Sequence, residues 1–270
     1  MAGYWDLMLG VGSGLAQGVF EWIPVSSKTI LLLLFYWAGY PASQAYLLGL
    51  FLNGATAAAA AIYLRRDLLE ALRGVKHRGE GRKILVFLIV STLVTGILAI
   101  PFASLAVETL KEYENLSMLV IGFLYMIMSI MLWLKNRLKP GEGSKDLNPI
   151  RDGFFAGIAQ GFSALPGISR SGTTILALLM LGYNPATALR LSFLMSIPAT
   201  LGGALYVEAL HRRAVAFIPP TIILTSMTVA LLTSIAAISI LLKASEKLKP
   251  QLFTLILAVV TILAALTLIA

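Results

Sequence analysis

Two segments of the chain place a basic residue among hydroxyl side chains, directly before an apolar run. The first is PVSSKT, which contains Lys28, and the second is PGISRSGTT, which contains Arg170. Serine and threonine cap helix N-termini, where free backbone N–H groups and the positive end of the helix dipole attract anions. A basic side chain beside such a terminus strengthens the attraction. Each segment is therefore a candidate phosphate site.

Lys28 and Arg170 lie inside stretches that are otherwise apolar. A charge at the centre of a membrane costs about 2.5 to 3.5 kcal/mol even on the lenient insertion scale. Helix capping and kinking explain a single hydroxyl or proline here, but they do not explain the two charges. Arg170 suits a forked contact with phosphate oxygens, whereas Lys28 acts as a point charge. Two such segments facing each other would hold a phosphate or a diphosphate.

Glu21 is the one acidic residue in a comparable position, and it follows Gln17 by one helical turn. Three functional roles are open: counter-charge to Lys28 or Arg170, general base toward a hydroxyl or water, or ligand of a hard divalent cation. A purely structural ion pair is the plainer alternative. It does not explain why two hydroxyl-rich segments are present.

Other polar residues give weaker signals. Arg190 begins an apolar run after GYNPATAL. It could extend its charge to the membrane interface or belong to the site, and its position fits both roles equally. His77 and His211 fall in predicted loops, so neither is a candidate catalytic or metal-binding histidine. The chain has no cysteine and no GxxxxGK motif, which excludes thiolate chemistry and leaves ATP-driven chemistry without support.

The composition of the chain indicates that the elements carrying these residues lie in a membrane. Hydrophobic residues make up 58% of the chain and charged residues 13%, with a mean hydropathy of +0.86. We predict an all-α integral membrane protein with six transmembrane helices, at residues 42–64, 84–107, 117–134, 186–209, 219–242 and 251–270. Regions 7–39 and 153–182 are broken near their middles, and we predict a re-entrant helix hairpin in each.

Loop charges predict the orientation in a plasma membrane. Residues 65–83, 135–152 and 243–250 carry fifteen lysines and arginines, whereas the intervening loops carry three. Because cytoplasmic loops collect basic residues, the three rich loops should lie inside and both termini outside. The net charge of +8 is explained by these loops, so it does not indicate nucleic-acid binding.

The two broken regions resemble each other. GLAQGVFEWIPVSSK from Gly14 aligns with GIAQGFSALPGISR from Gly157 after one deletion, so that Gln17 matches Gln160. On the predicted topology the copies enter from opposite sides. We therefore predict a single membrane domain over 1–270, built from an inverted repeat of about 1–134 and about 135–270. A shared site should then lie near the membrane midplane.

At QGVFEWIPVSS and PGISRSGTT the sequence resembles the undecaprenyl pyrophosphate phosphatase family, the bacitracin-resistance phosphatases that recycle the lipid carrier of cell-wall synthesis. The resemblance covers nearly the whole chain. It implies a site open to the extracytoplasmic side, dependence on a divalent cation such as Mg²⁺ or Ca²⁺, and a homodimer. It would place in the active site Glu21, Ser27, Arg170 and the hydroxyls of Ser169, Ser171, Thr173 and Thr174.

Two positions depart from the family pattern. Gln17 stands where the first of two acids usually falls, although the family tolerates glutamine there. The family also commonly has Gly-His after the double serine, whereas this chain continues with Lys28, Thr29 and Ile30. A mechanism built on that histidine cannot apply. The nucleophile is then Ser27 or a metal-activated water, and the departure suggests a divergent branch whose carrier lipid differs from undecaprenol.

The sequence thus predicts a phosphatase that removes the terminal phosphate of a polyprenyl diphosphate. An alternating-access carrier or flippase for a phosphorylated lipid or anion is the alternative, and a non-catalytic lipid-binding homologue is a third hypothesis. The candidate residues are Glu21, Ser27 and Arg170 for catalysis, with Glu21 also as metal ligand; Ser26, Lys28, Thr29, Ser169, Ser171, Gly172, Thr173 and Thr174 for phosphate binding; and Gln17, Gln160 and Arg190 in support.

Overall fold

The computed structural model describes residues 2–112 and 145–247, together with the separate positions 252, 256 and 259. Its described parts contain helices and no strand, as the predicted all-α fold requires. These helices are α1 (Ala2–Phe20), α2 (Ser27–Trp37), α3 (Ala42–Tyr63), α4 (Arg65–Arg73), α5 (Glu80–Glu112), α6 (Pro149–Phe162), α7 (Arg170–Met180), α8 (Pro185–Leu210), α9 (Arg212–Ala216) and α10 (Pro220–Lys247).

Four of the described helices, α3, α5, α8 and α10, are long and apolar enough to cross a membrane. They correspond to four of the six predicted spans and confirm an integral membrane protein with several apolar helices. α5 is longer than predicted, because its 33 residues continue beyond the apolar run at both ends. The other two predicted spans, 117–134 and 251–270, lie outside the described residues.

Both broken regions are interrupted where the sequence predicts. α1 stops at Phe20 and α2 starts at Ser27, while α6 stops at Phe162 and α7 starts at Arg170. A proline lies in each interruption, and proline disfavours a continuous helix through the residue before it. The second interruption also contains Gly167 at φ +89°, a backbone conformation that favours glycine. With 11 residues each, α2 and α7 are too short to cross a bilayer.

Glycines allow α1 to pack closely on α10 and α6 to pack closely on α5, and the two pairs have similar contacts. A Cβ on Gly14 of α1 would lie 2.7 Å from the Ser226 carbonyl oxygen of α10, and one on Gly157 of α6 would lie 2.8 Å from the Ser91 carbonyl oxygen of α5. Glycines one turn before and after lie equally close to the facing helix: Gly10, Gly18 and Gly153 lie near its backbone carbonyls, and Gly161 lies against the Leu98 side chain. Small residues at interfaces permit such close backbone packing in membranes. In each pair, the first helix of one half packs on a long helix of the other half.

Substitution of Gly14 by alanine should destabilise the α1–α10 pair. The new methyl group would meet the Ser226 carbonyl and the Val229 side chain at 2.7 Å, so the helices must separate. Overpacking of this kind costs about 1 to 3 kcal/mol. Gly12→Ala is the matched control, since its methyl group would meet nothing within 4 Å. Thermal unfolding in detergent should show a lower midpoint for Gly14→Ala alone, and equal midpoints for the two variants would contradict the close packing.

Candidate active site

Two hydrogen bonds join the two interrupted segments directly, and a third ties the second segment to α3. The Gly167 N–H donates to Thr29 Oγ1 at 2.8 Å, and Ser171 Oγ donates to the Ile23 carbonyl at 2.6 Å. The Tyr46 hydroxyl of α3 donates to the Ala164 carbonyl at 2.6 Å. Segments about half the chain apart therefore meet, as the sequence predicts.

Glu21 lies at the centre of this junction. Its Oε1 pairs with Arg170 Nη2 at 3.0 Å, and its Oε2 accepts a hydrogen bond of 2.5 Å from Ser27 Oγ. The Gln17 side-chain amide donates to the same Oε2 at 3.2 Å and to Asn53 Oδ1 at 2.7 Å. All five side chains are buried. A carboxylate that accepts from three donors is fixed in position, and its contact with a serine hydroxyl is the geometry of a base and a nucleophile.

Arg170 is oriented by contacts on both sides of its guanidinium. Nη1 donates to the Ser192 carbonyl at 3.4 Å, and the guanidinium carbon lies 5.2 Å from the centroid of the Trp22 ring system. Trp22 is fully buried and packs edge-on against Phe193 at 4.9 Å. Within the described residues, Arg170 Nε is buried without a hydrogen-bond partner. The guanidinium therefore keeps a donor for a ligand.

A cavity of about 510 Å³ has this cluster as its floor. Glu21, Lys28 and Arg170 line it together with Asn53 and Gln160. The walls come from the later parts of α5 and α8 and are mainly apolar, with contributions from Ala99, Ile100, Ala103, Pro198, Ala199, Leu205, Ala209 and Leu210. A polar floor between apolar walls matches a molecule with a charged head and a hydrocarbon tail.

The predicted hydroxyl groups build the junction but do not line the cavity. Ser169 caps α7 by accepting from the Gly172 N–H at 3.2 Å, and Thr173 donates to the Ser169 carbonyl at 3.0 Å. Thr174 hydrogen-bonds to Ser192 at 2.5 Å, which ties α7 to α8. These hydroxyls are occupied by nearby protein groups. In this geometry they hold the two segments together, and their direct contact with phosphate stays a prediction.

Ser26 and Ser27 also differ from the sequence expectation. Ser26 occupies the N-cap position of α2, but its side chain makes no capping bond and instead accepts from Thr29 Oγ1 at 2.9 Å. Neither serine is among the residues that line the cavity. Ser27 reaches the floor through its hydrogen bond to Glu21.

Arg190 is not brought to this site. Its guanidinium pairs with Asp67 of α4 at 2.6 Å and lines a different cavity of about 780 Å³. Asp67 belongs to the predicted basic loop 65–83. Its carboxylate neutralises the charge of Arg190, which would otherwise be unpaired near the start of a membrane span. The structure therefore places Arg190 away from the junction, and of the two positions compatible with its sequence it occupies the one outside the site. Gln17 and Gln160, by contrast, do lie at the junction and the cavity wall.

Sequence reasoning missed three residues that position the site: Trp22, Asn53 and Ser192. Asn53 could have been identified from the sequence, since it is an amide in the middle of the apolar helix α3, whereas Gln44 lies in the first turn of that helix. Trp22 follows Glu21 directly and could have been associated with it. Ser192 had no signal, because a buried serine in an apolar helix usually bonds to its own helix backbone.

The side chains at this junction do not fit a divalent cation held by the protein alone. Among the residues that the structure describes, Glu21 is the single carboxylate on the cavity floor, and both its oxygens already accept hydrogen bonds. Two cationic side chains, Lys28 and Arg170, line the same floor. Hard divalent cations need several oxygen ligands, and no group of three or more His, Asp or Glu that could hold a metal occurs in the described parts of the chain.

Comparison with known proteins finds relatives along nearly the whole chain. The family model described as "Bacitracin resistance protein BacA" matches residues 10–263. An undecaprenyl-diphosphatase of Saccharolobus islandicus is 40% identical over 247 residues, covering 88% of this chain and 87% of that protein. One of Saccharolobus solfataricus is 37% identical over 267 residues, covering 95% of each, and one of Pyrobaculum aerophilum is 36% identical over 260 residues, covering 95% and 96%. The matched region contains both interrupted segments, and the chain belongs to the BacA family of bacitracin resistance proteins.

Proposed function

We propose that this chain is a membrane phosphatase that hydrolyses a polyprenyl diphosphate, of the undecaprenyl type, to the monophosphate and inorganic phosphate, and so recycles the lipid carrier. The observation that carries the proposal is the pair of Glu21 and Arg170 on the floor of an apolar-walled cavity, with Ser27 hydrogen-bonded to Glu21. Family membership and the names of the relatives support the same reaction.

The cavity suggests how the substrate would lie. The diphosphate would rest on the floor against Lys28 and Arg170, and the prenyl tail would follow the apolar walls of α5 and α8 toward lipid. Arg170 would use its free Nε donor for a phosphate oxygen and stabilise charge that develops during transfer. The buried N-termini of α2 and α7 would add to that stabilisation.

Ser27 would be the nucleophile. As its Oγ bonds to the terminal phosphorus, its proton passes to Glu21, the bond to the bridging oxygen breaks, and the electron pair leaves with the prenyl monophosphate. Glu21 next gives that proton to the departing prenyl monophosphate and is a carboxylate again. It then takes a proton from the water that attacks the phosphoserine, the Ser27 Oγ–P bond breaks, and this proton returns to Ser27 Oγ as phosphate is released. Because Ser27 lies behind Glu21, substrate binding to Arg170 would first have to shift the Glu21 carboxylate.

A second version of the mechanism uses water directly. Glu21 lines the cavity, so it could activate a water molecule there while Ser27 only orients the carboxylate. We derive no step through a divalent cation, because the protein side chains do not form a site for one.

A carrier of phosphorylated lipid would use the same floor but would release no phosphate. Purified protein in detergent, where no second compartment exists, separates the two functions. Steady release of inorganic phosphate from a prenyl diphosphate supports the phosphatase, and binding without release supports the carrier or a non-catalytic homologue.

We also propose the placement in the plasma membrane. The cavity walls come from the ends of α5 and α8 that lead to Lys111 and to Arg212, which the loop charges assign to the outside. The site would then open to the extracytoplasmic side, with both termini outside. The matched glycine contacts support an inverted repeat with two re-entrant hairpins, and the resemblance implies a homodimer.

Cysteine labelling tests this orientation in a chain that has no native cysteine. A cysteine at position 112 should react with an impermeant maleimide on intact cells, because the adjoining loop is poor in basic residues. A cysteine at position 80, in the basic loop, should react only after the membrane is opened. The reverse pattern would show that the orientation is inverted.

A further inference from the structure

Lys28 is the group on the cavity floor whose charge the structure leaves unmatched. It is the second residue of α2, is 4% exposed and lines the cavity beside Glu21 and Arg170. Arg170 pairs with Glu21, whereas the Lys28 ammonium has no hydrogen bond or ion pair within residues 2–112 and 145–247. A buried ammonium without an anion is strongly destabilised, so this arrangement calls for an anionic ligand.

The neighbouring acid does not supply that anion. Glu21 attracts Lys28 electrostatically, but its oxygens are bonded to Arg170, Ser27 and Gln17. Arg170 also repels Lys28. Lys28 and Arg170 therefore share one carboxylate, that of Glu21, whose oxygens are already hydrogen-bonded. The anion that pairs with Lys28 must come from the molecule that occupies the cavity.

A charge balance shows what that occupant needs. Lys28 and Arg170 together with Glu21 give the floor one net positive charge, and the N-termini of α2 and α7 add about half a charge each. A prenyl diphosphate carries about two to three negative charges near neutral pH, because the last of its three ionisable protons is only partly lost at that pH, as in other phosphates. With Lys28 the floor nearly balances this charge. Without Lys28 the floor falls short by about one to two charges, which is the deficit that a metal ion would be needed to fill.

We propose that Lys28 is a built-in cation that pairs with the diphosphate oxygens, so that phosphate release by this chain does not require a divalent cation. The inference rests on the proposed phosphatase function and on the absence, in the described residues, of a carboxylate set that could hold such an ion. Lys28 thereby fills the role for which the resemblance implies a metal.

The experiment measures phosphate release from a prenyl diphosphate by chelator-treated protein in detergent, with and without added Mg²⁺ or Ca²⁺. The native chain should keep its turnover within a few-fold in chelator. Lys28→Gln should lose about 10²-fold in chelator and recover part of that loss with metal, while Lys28→Arg should stay independent of metal. Lys83→Gln, which removes a cation of a surface pair with Glu80, is the matched control and should respond to chelator as the native chain does.

Two results would overturn the proposal: loss of nearly all native turnover in chelator with recovery on adding metal, or an equal chelator response in Lys28→Gln and the native chain. A binding measurement covers the case in which no protein releases phosphate, which would refute the proposed function separately. Inorganic pyrophosphate in chelator should raise the unfolding temperature of the native chain and not that of Lys28→Gln. Equal shifts would remove Lys28 from the phosphate site, whatever the function.

Discussion

Ser27→Ala is expected to abolish phosphate release, with a loss of about 10³-fold or more, because it removes the proposed nucleophile. Ser27 donates a 2.5 Å hydrogen bond to Glu21, and that carboxylate is fixed in turn by Arg170 and Gln17. This is the arrangement of a nucleophile, a base and the groups that orient the base. The measurement is phosphate release by purified protein in detergent, together with thermal unfolding to show that the variant folds.

Ser26→Ala is the matched control for this prediction. Ser26 is the adjacent serine, equally buried, and its hydroxyl accepts only from Thr29. We expect a loss of a few-fold at most. A brief reaction stopped with acid should leave phosphoserine at position 27 in the native chain and in Ser26→Ala, which mass spectrometry of the peptide would detect.

Glu21→Gln should be as damaging as Ser27→Ala, since no other carboxylate within residues 2–112 and 145–247 lines the cavity. It also leaves Arg170 without its counter-charge, and loss of one partner of a buried pair costs about 3 to 5 kcal/mol, so its stability must be measured in parallel. If Ser27→Ala keeps activity within a few-fold of the native chain, the covalent version is wrong. Glu21 and an activated water molecule would then carry the reaction.

Arg170→Lys is expected to lose about 10² to 10³-fold in turnover, because an ammonium cannot reproduce the forked donors of the guanidinium. Arg170 uses one terminal nitrogen for Glu21 and the other for the Ser192 carbonyl, and keeps Nε free. Lysine could keep a pair with Glu21 but could not at the same time hold Ser192 and a phosphate oxygen. The loss should appear in turnover while the unfolding temperature stays near that of the native chain.

Arg190→Lys is the control for this second prediction. Arg190 pairs with Asp67 in the other cavity, and lysine can keep that pair. Its activity should therefore be close to that of the native chain. A folded Arg170→Lys protein with native turnover would remove Arg170 from the catalytic group.

The position of the site could be predicted from the sequence because hydrocarbon makes buried charge costly. Glu21, Lys28 and Arg170 stand out in apolar runs, and the structure places all three on one cavity floor. The positions of the two helix interruptions could also be predicted from the sequence, since segments rich in proline and hydroxyl residues follow Phe20 and Phe162, where the helices end.

The hydrogen-bond partners within the site could not be predicted in the same way. A serine or threonine beside a helix start can cap the helix, bond to a carbonyl one turn away or face a ligand, and these choices differ little in energy. Ser169 caps α7, whereas Ser26 in the matching position of α2 does not cap its helix. Arg190 shows a related limit, because its partner Asp67 lies more than a hundred residues away in the chain.

The most direct test of the account is phosphate release by the purified native chain in detergent with a prenyl diphosphate as sole substrate. The account predicts repeated turnover, with one phosphate and one prenyl monophosphate formed for each diphosphate consumed, and nearly none in Ser27→Ala. Saturable binding of the diphosphate by folded native protein without any release of phosphate would contradict it.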